Sequence, residues 1–93
     1  QLVFEKYYKL GEYQPVNLTK SQVKNKINRN DKETYVYLKN TDSTNAINVD
    51  IGTQLSIQLG AGEFAFFPWE SSADVVVAAG GGTPVLEYAV YEA

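Results

Sequence analysis

Three observations predict an all-β chain. Residues 47–51 and 55–59 alternate apolar and polar with period two, residues 34–39 concentrate β-branched and aromatic side chains, and turn-forming residues recur about every ten positions. The expected architecture is an antiparallel β-sandwich or a small jelly-roll-like barrel of about seven to eight short strands, with an irregular N-terminal arm. The chain of 93 residues is one domain, divided into residues 1–33 as a basic arm or edge strands and residues 34–93 as the sandwich core. A domain of this size exposes roughly 5,400 Å² when folded, enough burial for a modest core without disulfides or metals.

Along the chain, residues 2–10 (LVFEKYYKL) suit a strand with Leu2, Phe4 and Tyr8 on one side, and Gly11 and Pro15 separate it from the next segment. Residues 17–33 are polar; Val23 and Ile27, four apart, fit a helical turn, while Val23, Asn25 and Ile27 alternating with lysines favour a short strand, before a turn at 28–32. Residues 34–39 (TYVYLK) form the next strand, and 40–45 (NTDSTN) form a loop whose side chains bond their own backbone. Ile47, Val49 and Ile51, then Leu55, Ile57 and Leu59, read as a hairpin turned at Gly52-Thr53. Residues 60–62 turn again into 63–67 (EFAFF), with Phe64 and Phe66 on one face, Phe67 on the other, and Pro68 ending the strand. Residues 75–79 (VVVAA) suit a strand covered on both faces, 80–84 a hairpin tip, and 85–92 (VLEYAVYE) the last strand. Phe64, Phe66, Tyr35 or Tyr37, and Tyr88 are the expected aromatic core.

Composition excludes much chemistry. There is no cysteine, hence no disulfide and no thiolate metal site, and no histidine, which removes the commonest general base and metal ligand together with every Ser-His or Cys-His pair. Glu63, Glu70, Glu87 and Glu92 lack any base-orienting partner, so an enzyme is not expected. The loop 40–45, with Asp50 nearby, lacks the ligand spacing of a calcium loop, and the glycines at 80–82 precede a strand rather than a phosphate-binding helix. No cofactor and no metal is expected. No apolar run reaches transmembrane length. Asn17-Leu18-Thr19 matches a glycosylation sequon, a short pattern of frequent chance occurrence. The chain begins at Gln1, whereas initiator methionine is normally trimmed before small residues, so cleavage of a precursor or a start inside a longer protein is expected.

Charge is unevenly placed. All eight basic residues lie in positions 1–39 against four acids, and positions 40–93 carry seven acids and no base. That asymmetry is a hint of an interaction surface, with Lys20, Lys24, Lys26 and Arg29 as its basic candidates, and a solvated basic loop is the alternative. A sparse tract with one arginine beside an acidic remainder disfavours direct contact with nucleic acid. Among the aromatics, Phe67, Trp69 and Tyr91 are the candidate contact residues, Trp69 foremost because it follows Pro68.

Residues 36–52 (VYLKNTDSTNAINVDIG), 55–69 (LSIQLGAGEFAFFPW) and 73–93 (ADVVVAAGGGTPVLEYAVYEA) resemble the small β-sandwich virion proteins of tailed bacteriophages. These are decoration, minor capsid and head–tail connector components. The resemblance covers about three-fifths of the chain and is a loose pattern of strands and loops. It implies a non-enzymatic structural protein located in the virion, acting through contacts with capsid or other virion proteins and with copies of itself. It implies no catalytic residue, small-molecule substrate or membrane. The basic N-terminal stretch lies outside the pattern and suits an arm that orders on a neighbouring subunit, so deleting residues 1–15 is expected to abolish assembly and leave a folded domain. The alternative is a small carbohydrate-binding or adhesion domain that stacks sugars on Trp69 and surface tyrosines.

Overall fold

The computed structural model describes residues 1–11, 14–18, 34–53, 55–69 and 74–92. Eight strands lie in these segments: β1 (Leu2–Lys9), β2 (Val16–Leu18), β3 (Thr34–Asn40), β4 (Ile47–Ile51), β5 (Leu55–Leu59), β6 (Phe64–Pro68), β7 (Val75–Ala79) and β8 (Val85–Glu92). No helix occurs among the described residues. The expected strand at Val23–Ile27, the turn at 28–32 and the basic candidates Lys20, Lys24, Lys26 and Arg29 lie outside them.

The strands form two antiparallel sheets, ordered β1-β8-β3-β6 and β2-β7-β4-β5. β1 pairs with β8, β2 with β7, β3 with β6 and β4 with β5. The chain therefore runs out to the β4–β5 turn and back as one long hairpin, rolled so that successive strand pairs alternate between the sheets. The β3–β8 and β4–β7 ladders complete each sheet. This nested pairing is the jelly-roll form of the sandwich.

Period-two alternation fills the space between the sheets. Val36 and Leu38 of β3 and Leu86, Tyr88 and Val90 of β8 are fully buried against Ile47, Val49, Val75 and Val77 of the other sheet. The molecule exposes 5430 Å², the surface expected of one compact domain of this length. On β7 only Val75, Val77 and Ala79 reach the core, while Val76 and Ala78 lie half-buried on the other face, so this strand is not covered on both sides as its apolar run suggests.

The connections correct the hairpin reading. Gly52-Thr53 does turn a hairpin, and Gly52 has φ of 57°, a left-handed conformation that glycine adopts freely. The turns at 60–63 and 80–84, by contrast, carry the chain from one sheet to the other. Asn40 anchors that corner. Its side-chain nitrogen donates to the carbonyls of Asn45 (2.8 Å) and Leu59 (3.0 Å), and its side-chain oxygen accepts from the Asp42 N–H (2.9 Å). Gly82, with φ of 59°, sits where an added Cβ would lie 2.5 Å from the Asn45 side chain, so this crossing also requires glycine.

The described part of the N-terminal segment is integral to the sandwich. β1 and β2 are edge strands, one in each sheet, and Leu10 and Leu18 are fully buried. Of the two forms expected for residues 1–33, the described residues take that of edge strands. A register shift between Leu2 and Phe4 turns Leu2 to the outer face, opposite Tyr91, while Phe4 and Tyr8 face inward, so the three do not share one side. Removing residues 1–15 deletes β1 and the Leu10 side chain. We therefore expect the truncated chain to lose its cooperative unfolding transition in urea. A cooperative transition at the full-length midpoint would contradict the placement of β1.

Tyr88 lies at the centre of the core, with ring centroids 5.5 Å from Phe4 and 6.0 Å from Tyr8, and its hydroxyl makes no hydrogen bond. Burial, with a smaller contribution from Tyr8, pushes its phenol well above the ordinary value. A raised folded pKa gives stability that is complete below the unfolded value of about 10 and is lost as pH rises beyond it when the folded phenol stays neutral. Tyr88→Phe should match or exceed wild-type stability at neutral pH, by up to about 2 kcal/mol, because it removes an unpartnered hydroxyl. Its advantage should widen above pH ~10, read from urea unfolding as a function of pH. A variant less stable than wild type at neutral pH would show that the hydroxyl is satisfied.

Candidate functional site

The outer face of the β1-β8-β3-β6 sheet carries the most unusual surface of the described residues. Inward alternation commits Val36, Leu38, Ala65 and Phe67 to the core side, and this turns Tyr35, Tyr37, Phe64 and Phe66 outward. Register places them in rows across the sheet. Leu2, Tyr91, Tyr35 and Pro68 form the first row, Glu5, Ala89, Tyr37 and Phe66 the second, and Tyr7, Glu87, Lys39 and Phe64 the third. Six aromatic rings thus share one face of one sheet.

Five of the rings touch, in one group of three and one pair. Tyr35 and Phe66 stack with centroids 5.4 Å apart and planes 6° from parallel, Phe66 meets Tyr91 edge-on at 6.1 Å, and Tyr37 lies 5.9 Å from Phe64. Such cross-strand aromatic pairs each contribute roughly 0.2–1 kcal/mol to sheet stability. The pairs leave much of the surface open: Phe64 is 64% exposed, Tyr7 57%, Phe66 54% and Leu2 47%. Ala89 is almost fully buried although it lies outside the inter-sheet core, since it forms the floor beneath the surrounding rings.

Charge on this face is balanced between Glu5 and Glu87 on one side and Lys9 and Lys39 on the other. The Glu87 carboxylate, then partial desolvation, then Glu5 hold the Tyr7 phenol above its usual value. Desolvation, then Glu87, do the same for Tyr37. Both phenols are neutral donors at physiological pH. At the β1 edge the Lys6 ammonium lies 4.9 Å from the Tyr8 ring centre, an inward-side lysine that discourages edge-to-edge pairing.

The opposite sheet presents a different exterior. Its outer positions include Asn48, Asp50, Ser56 and Gln58, with Gln58 donating to Asn48 at 3.0 Å. A shallow depression beside Asp50, Gly52, Thr53, Leu55 and Ser56 gathers no convergent reactive groups. In the 40–45 loop the Asp42 carboxylate accepts from the N–H groups of Asn45 (2.6 Å) and Thr44 (3.0 Å), which lowers its pKa and commits it to the turn. Glu63 similarly accepts from the Gly60 N–H at 2.6 Å. Among the described residues no three acidic side chains gather as a metal site.

The aromatic candidates from sequence are redistributed. Tyr91 lies on the outer aromatic face. Phe67 points inward and packs against the core, and Trp69 is only 3% exposed within it, so neither presents its ring as a contact surface. Conversely, Phe64 and Phe66, expected in the core, are exposed, and Tyr35 and Tyr37 both face outward. The strand at 63–67 has apolar residues on both faces, so alternation separates its faces without saying which is inside. A usable signal was the neighbouring strand, where Val36 and Leu38 alternate with two tyrosines.

Comparison of the chain with family models, with curated proteins and with solved structures finds no match. The reading of its function therefore rests on the fold and on this face.

Proposed function

We propose that the chain is a non-enzymatic structural subunit of a virus particle, of the phage capsid decoration or minor capsid kind, and that its outer aromatic face is the surface by which it binds other proteins. The observation that carries this reading is the outer face of six aromatic rings, of which Tyr7, Phe64 and Phe66 are exposed and Tyr35, Tyr37 and Tyr91 half-buried. A monomer seldom leaves a broad contiguous apolar patch to water, and aromatic residues are the preferred anchors of protein interfaces. The jelly roll adds support by analogy, because capsid subunits use it repeatedly. Lectin domains use it too, and exposed tyrosines favour a second reading as a carbohydrate-binding domain. That reading rests on Tyr35, Phe66 and Tyr91, since Trp69 is enclosed.

Sedimentation of native material with mass and nucleic-acid content read together separates the two. The subunit reading expects the chain in particles of megadalton mass that contain nucleic acid. It also expects Phe66→Ser to keep the fold and reduce incorporation more than about tenfold, as loss of an interface anchor does. A chain found only in the free fraction, with tyrosine fluorescence that changes saturably on adding glycans, would replace this reading with the carbohydrate one.

A further inference from the structure

We infer that the aromatic face pairs with the same face of a second copy, about a two-fold axis parallel to the strands and midway between β8 and β3. This rests on reading the face as a protein contact, and it adds the partner and the register.

The charge pattern of the face distinguishes the possible pairings. Two kinds of two-fold axis lying in the interface plane superpose the four-stranded face on itself. An axis across the strands, through the row of Ala89 and Tyr37, sets Glu5 against Glu5 of the second copy. It also leaves Glu87 facing a tyrosine, Tyr91, and Lys39 facing another, Tyr35. An axis along the strands gives a different outcome, because Glu87 and Lys39 occupy the same row on the two central strands. Each then faces the opposite charge of the other copy, twice over by symmetry. Tyr91 meets Tyr35, Tyr7 meets Phe64 and Leu2 meets Pro68, all apolar or aromatic pairings. Glu5, on the edge strand, faces Phe66 of the second copy and meets no like charge.

The second axis makes two opposite-charge pairs and no like-charge contact, whereas the first sets like charges together, so the pattern favours the second. Both axes keep the facing strands aligned, as sheet packing requires, so the charges make the choice. The resulting pair is isologous, the commonest symmetry of small assemblies. Four strands and three rows cover about 400 Å² per copy, or about 800 Å² in all, which is below the size of stable interfaces and within that of weak, transient ones. The pair is therefore reversible and concentration-dependent.

Sedimentation velocity of the purified full chain from about 1 μM to about 1 mM spans the range in which an interface of this size associates. Wild type should shift from monomer to dimer across it. Lys39→Glu and Glu87→Lys should each weaken dimerisation at least about tenfold, because each sets like charges face to face. An equimolar mixture of the two variants should associate within about threefold of wild type, because every facing pair is again opposite in sign. Circular dichroism confirms that each variant keeps its β signal. Where one does not, Tyr7→Glu and Phe64→Lys each set a charge against a ring, and their mixture gains one opposite-charge pair, since these positions also face each other.

A wild-type chain that stays monomeric throughout, or a mixture no better than its components, would overturn the inference. If the chain stays monomeric while Phe66→Ser still fails to enter particles, self-pairing falls and the face remains a contact for another protein. If Phe66→Ser enters particles normally as well, the contact reading falls with it.

Discussion

The ladder between β3 and β8 is the constraint on which the rest of the molecule depends. It joins segments far apart in the chain at the centre of one sheet, and it pairs Val36 with Val90 and Leu38 with Tyr88 on the inside. The same register sets Tyr35 beside Tyr91 and Tyr37 over Ala89 on the outside. Because side chains alternate strictly, a slip of one residue would drive the tyrosines into the core and the valines and leucine into water. Core and aromatic face are thus two consequences of one register. β1 and β6 then extend that register outward, adding Tyr7 on one flank and Phe64 and Phe66 on the other.

The end of β3 supplies the second constraint. Asn40 is fully buried, and both its side-chain N–H groups and its carbonyl oxygen are hydrogen-bonded. A buried amide is tolerated only when so satisfied, and a satisfied one fixes a unique arrangement. Here the arrangement is the crossing between sheets. The backbone of Asn40 also bonds to Glu63 and Gly62, Thr41 bonds to Val85, and Gly80 bonds to Ala46. The β3–β4, β5–β6 and β7–β8 connections, which all change sheets, are thereby tied together at one corner.

Strand positions were legible because period-two alternation and turn residues are local signals. Seven of the eight described strands fall close to where the sequence places them. β2, only three residues long, gives no periodicity to read. Sheet membership was not legible: a turn such as 60–62 reports where the chain bends, and not whether the next strand pairs with the last or crosses to the other layer. Inside and outside were legible for β4, where polar residues mark the wet face. They were not for β6, whose two faces are both apolar, so Phe66 and Phe67 exchange their expected places. Trp69 illustrates the same limit, because proline before it suggests an exposed bend while its ring closes the core. The N-terminal segment looked irregular because its strands lie at the edges, where one face or one flank meets water and the apolar pattern is diluted.

The aromatic face emerges only when β1, β8, β3 and β6 are assembled, since no single one of these strands holds more than two of its rings. Hydroxyl-radical footprinting, comparing the dilute chain with the native assembly that contains it, tests its role most directly. The account predicts that Tyr7, Phe64 and Phe66 are oxidised readily in the dilute chain and shielded in the assembly, with Trp69 shielded in both. Equal oxidation of Phe64 and Phe66 in the two states, or shielding of these rings already in the dilute monomer, would contradict it.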